Sequence, residues 1–88
     1  METNRNDGER YFRSSSLPLA TFLFAKEQKV AGIHPLEGKK REFVFVKTSR
    51  LEELVDKYKF GERNEEDAMV DARLLERARQ ELLDRVHE

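Results

Sequence analysis

Apolar and polar residues follow two different periods along this chain, and the switches between them predict where it is helical and where it is extended. Leu51, Leu54, Val55 and Tyr58 fall at i, i+3, i+4, i+7, one apolar stripe of an amphipathic helix spanning 48–61. Ser49 and Glu52 have the spacing of a capping box, in which side chains satisfy the first free backbone N–H groups. Glu53 and Lys57 fall one turn apart on the polar side, and Gly61 stands where such a helix would stop. A second helical period runs through 64–88, with Leu75, Ala78, Leu82 and Val86 flanked by Val70, Leu74 and Leu83. Asn64 would cap it, and Glu65, Glu66 and Asp67 would sit at its positive end. A helix of that length would run about 33 Å, long enough to overhang a small body or to pair with another chain.

Segment 14–28 reads differently. Ser16 is an N-cap candidate and Pro18 falls in the first turn, where its missing N–H costs little. Leu17, Leu19, Ala20, Phe22, Leu23, Phe24 and Ala25 nearly surround the axis, so this helix must be covered on more than one side. Segments 29–34 and 41–47 are rich in valine, isoleucine and phenylalanine and predict two antiparallel strands. Pro35 and Gly38 punctuate the connector between them. Tyr11 and Phe12, on opposite faces of a short strand at 10–13, would extend the hairpin. Residues 1–9 are too polar to offset the entropy of ordering them and predict a disordered N-terminal arm. The expectation is a single α+β domain over 10–88. A small antiparallel sheet, the β-hairpin plus a short N-terminal strand, packs with three helices in the order (β)-α-β-β-α-α.

This order resembles the small proteins grouped as domain of unknown function 5659. The residues that carry the resemblance are Tyr11–Phe12 before Ser15–Ser16, Leu19–Ala20 in the apolar helix and Val30–Ile33 in the strand after it. They continue with Phe43–Val44–Phe45 and with Leu51–Leu54 in a Leu-Glu-Glu-Leu helix. The similarity covers roughly residues 10 to 85. Pro18 and the Glu27–Gln28–Lys29 helix exit depart from it, the latter where the family carries glycine. The resemblance implies the fold above and a short accessory protein of prokaryotes or their viruses. It implies no activity.

Charge changes the picture. Lysine, arginine, aspartate and glutamate make up 40% of the chain, against about 25% in an ordinary domain. The net charge of −1 rules out a general polyanion binder. Yet residues 1–50 carry ten cations against six anions and residues 51–88 seven against twelve, a polarity able to orient a partner or a second copy. With no cysteine there is no disulfide or thiolate metal site. No stretch approaches the ~18 apolar residues of a membrane span, and no apolar leader opens the chain, so a cytoplasmic location is expected.

Candidate chemistry is sparse. The four glycines form no phosphate-cradling pattern, His34 and His87 stand alone, and the serines at 14–16 sit where caps belong, with no nucleophile-elbow turn. Neither an enzyme nor a cofactor or metal is expected. Segment 40–47 has the basic lead and the Phe-x-Phe step of an RNA-recognition strand, but lacks its glycines. Phe43 and Phe45 share one face, Val44 and Val46 the other, and the larger pair is expected in the core.

Two surfaces remain. Lys39, Lys40 and Arg41, with Lys47 and Arg50 nearby, form either a solvated hairpin tip or a contact for phosphate, nucleic acid or an acidic partner. Val44, Val46, Leu74 and Leu83 are the candidate protein interface. The expected function is therefore a small non-enzymatic interaction or adaptor protein, self-associating as a homodimer or serving a larger assembly. The alternative is a nucleic-acid-associated factor that binds phosphate through the basic loop.

Overall fold

A computed structural model describes residues 10–61 and 69–86. The chain runs β1 (Tyr11–Ser14), α1 (Leu17–Ala25), β2 (Val30–Pro35), β3 (Arg41–Val46), α2 (Ser49–Phe60) and α3 (Ala72–Val86). The three strands form one antiparallel sheet in the order β1-β3-β2. The α+β architecture and element order are those expected from the sequence. The arm at 1–9, Asn64 and His87 lie outside the described residues.

β3 is the central strand, which explains why it is apolar on both faces. Phe43 pairs with Ile33 and Ser14, and Phe45 with Val30 and Phe12, so these side chains share the sheet face turned to the helices. Phe43 and Phe45 are 3% and 0% exposed, and this answers which face is core. Val30 and Ile33 lie an odd number of residues apart and would face opposite ways in a regular strand. A register shift between Val30 and Gly32 inserts one extra residue and brings both to the helix side. Gly38, at φ +71°, lets the hairpin loop close with Leu36 N–H donating to the Lys40 carbonyl at 3.0 Å.

The valine face differs from expectation. Val44, a candidate interface residue in the sequence, is already buried in the single chain, 4% exposed. Its cross-strand neighbours are Arg13 and Gly32. Arg13 reaches along the sheet to Glu42 at 3.1 Å, and the His34 ring lies over the space left by the missing Gly32 side chain. Val44 is thus buried within the outer face of the sheet itself, between Arg13 and Gly32 on the neighbouring strands.

Nine residues make α1, fewer than the segment 14–28 read as helical and the same span as its apolar residues. Ser16 caps it, accepting Leu19 N–H at 3.2 Å, and Pro18 lies in the first turn as expected. The helix ends where Glu27 takes a left-handed conformation, φ 67°. Gln28 N–H then donates to the Leu23 carbonyl at 3.0 Å and Glu27 N–H to that of Phe24 at 2.9 Å. This is the Schellman arrangement, with glutamate where glycine is usual. Leu19, Ala20, Thr21, Phe22 and Leu23 are buried in succession, because α1 is held among the sheet, α2 and α3.

Two helix starts correct the sequence reading. Thr48, not Ser49, caps α2, its hydroxyl accepting Leu51 N–H at 3.0 Å; the capping-box reading was one residue out of step. Glu53 is held by Arg50 at 2.6 Å. α3 begins at Ala72, and 69–71 are not helical. Asp71 starts it, its carboxylate accepting Arg73 N–H at 2.8 Å and its carbonyl Leu75 N–H at 2.9 Å. Fifteen residues give a rod of about 22 Å, so the overhanging helix of the sequence reading does not occur.

Candidate functional site

α3 packs against α1 through Ala78 and Leu82, its only buried positions among the described residues. Both fall on one stripe, so the two flanks of the helix are left for solvent or a partner. Along one flank runs a hollow of about 910 Å³. Its apolar lining comes from Leu17 and Phe22 of α1, Tyr58 of α2, Met69 and Val70 ahead of α3, and Leu75. Glu76 and Arg79 bring one charge of each sign to it. Tyr58, Met69 and Leu75 are exposed by 41%, 57% and 37%, unusual for side chains this apolar clustered about one depression. Phe22 and Tyr58 stack obliquely with ring centres 5.0 Å apart, fixing the wall between α1 and α2. Thr21 also lines this hollow and is 4% exposed; among the described residues its buried hydroxyl oxygen has no hydrogen-bond partner.

A second hollow, of about 570 Å³, shares Leu17 with the first. Phe43, Leu83 and Val86 supply its apolar side, and Lys39, Lys40 and Arg41 its polar side. On α3, the first hollow is lined by Ala72, Leu75, Glu76 and Arg79 and the second by Leu83 and Val86. Steps of three and four residues keep all six on one side of the helix. The two hollows, which share Leu17, therefore follow one another along this side of α3 as a trough in two parts, beside a helix about 21 Å long from Ala72 to Val86.

The five cations singled out in the sequence occupy two places. Lys39, Lys40 and Arg41 sit at one end of β3, with Arg41 donating to the Lys40 carbonyl at 2.9 Å. Lys47 and Arg50 sit beyond the other end, roughly 20 Å away along the six-residue strand. There Lys47 lies 3.6 Å from Glu52 and Arg50 2.6 Å from Glu53. The four candidate interface residues do not share a surface either. Val44 and Val46 belong to the outer sheet face. Leu83, half-buried, lines the trough, whereas Leu74, 50% exposed, is nine residues away and about 180° around α3.

The serines act as caps: Ser16 as above, and Ser14, whose hydroxyl accepts Ser16 N–H at 3.1 Å. Among the described residues no three His, Asp or Glu side chains gather where they could hold a metal ion, and no helix is long and apolar enough to cross a membrane. Sequence reasoning missed Tyr58, Met69 and Leu75 as a group. The hydrophobic period puts Tyr58 at the end of a core stripe and Leu75 in the core of a longer helix, whereas both are exposed in the folded chain, by 41% and 37%. Comparison with protein-family models, with curated proteins and with solved structures finds no match, so the function is read from the chain's own geometry.

Proposed function

We propose that this protein is a small docking module that binds another protein chain in the trough along α3. The carrying observation is the exposed apolar cluster of Tyr58, Met69 and Leu75 over a floor of Leu17, Phe22 and Val70. A small monomer gains by burying such groups, at roughly 1.5–3 kcal/mol for a large side chain. Leaving them around a concave surface stores binding energy for a partner. The trough lies between helices, beside about four turns of α3, the setting in which an amphipathic helix lays its apolar face into a groove.

The test is a titration of isotope-labelled protein with a designed amphipathic helical peptide of about fourteen residues, followed by amide chemical shifts. Saturable shifts confined to the lining of the two hollows, among them Leu17, Tyr58, Leu75, Arg79, Leu83 and Val86, and abolished by Leu75→Glu, are expected. Shifts scattered over the surface, or binding indifferent to Leu75→Glu, would refute the docking reading.

A further inference from the structure

The trough is not electrically uniform along its length. At the Tyr58 end Glu76 and Arg79 cancel. At the hairpin end Lys39, Lys40 and Arg41 stand together, and among the described residues no acidic one lines that hollow. The Arg41 guanidinium is held by the Lys40 carbonyl, so it is already placed at the wall. Three cations beside the apolar surface of Phe43, Leu83 and Val86 hold their field better than they would in open water, because the low-dielectric wall focuses it.

Building on the docking reading, we infer the chemistry and direction of the occupant: an amphipathic helix whose C-terminal end is acidic and lies against Lys39, Lys40 and Arg41. Its apolar stripe covers Leu17, Tyr58 and Leu75. A helix C-terminus presents unsatisfied carbonyls and the negative end of the macrodipole, which three cationic donors can satisfy. An N-terminus in the same place would set free N–H groups against like charge. Carboxylates in the last turn add charge-assisted hydrogen bonds that fix the register along α3.

The experiment compares two peptides of one apolar pattern, one ending in Glu-Glu with a free carboxylate, the other in Gln-Gln with an amide. Each is titrated against the whole protein, against Lys39→Glu/Lys40→Glu, whose side chains are exposed, and against Arg41→Gln. Circular dichroism confirms that the variants remain folded. The acidic peptide is expected to bind roughly tenfold more tightly at low salt, and to lose that advantage in the double variant and as salt is raised. Arg41→Gln should remove part of it. Equal affinities for the two peptides would overturn the inference of an acidic end while leaving the docking reading intact. Failure of both peptides to occupy the trough would overturn both. A single-stranded oligonucleotide that displaces the acidic peptide, with affinity falling steeply with salt, would overturn it in favour of phosphate recognition.

Discussion

α1 and α3 lie against each other and use their apolar residues in opposite ways. α1 has nine residues and buries five of them in an unbroken run, Leu19 to Leu23. α3 has fifteen and buries Ala78 and Leu82. The difference comes from their neighbours. α1 lies among the sheet, α2 and α3, so most directions around its axis meet protein. Among the described residues α3 packs mainly against α1, and leucines on its flanks stay at the surface, among them Leu74 and Leu75. An enclosed helix spends its hydrophobicity on stability. A helix docked along one stripe leaves part of it at the surface, and the trough proposed for docking lies on such a flank.

Mutations can break that comparison. Leu23→Ala in α1 should cost most, about 3–5 kcal/mol in a urea titration, because a side chain with no exposed surface leaves a cavity that few neighbours can fill. Leu82→Ala in α3 should cost less, about 2–3 kcal/mol, since the outer helix can settle inward; a loss equal to that of Leu23→Ala would erase the contrast. Thr21→Val should raise stability by about 1 kcal/mol, by removing a buried hydroxyl that has no partner among the described residues. A loss of stability there would reveal a bond the hydroxyl makes after all. Glu27→Gly should add about 0.5–1 kcal/mol, because glycine accepts the left-handed backbone at the end of α1 without a side-chain penalty. Leu75→Glu should change stability by less than about 0.5 kcal/mol, as expected of a partly exposed flank that carries no core packing.

Much of the fold was legible locally. The Ser16 cap, Pro18 in the first turn, the stripe Leu51–Leu54–Val55 and the phenylalanine face of β3 each follow from a few neighbouring residues. Helix starts were less legible. Thr48 and Ser49 carry the same hydroxyl chemistry, and extended backbone at Thr48, φ −136°, selects between them. Residues 69–71 fit a helical period yet are not helical, because Asp71 offers a cap nearer the packing stripe. Little of the candidate site was legible. Leu17, Tyr58, Lys40 and the α3 pair Leu75 and Leu83 come from four separate stretches, and no periodicity links one stretch to another.

By itself the sequence determined the order of helices and strands, and that Phe43 and Phe45 seek the interior. Hydrophobic period and capping chemistry act within a turn or two, and they need no distant partner. Only the tertiary structure decided that Val44 is buried within the outer face of the sheet itself, that the five cations divide between the two ends of β3, and that one flank of α3 stays open as a trough. Those outcomes depend on which surfaces remain after α1 has taken its neighbours, and that is a property of the packed molecule as a whole.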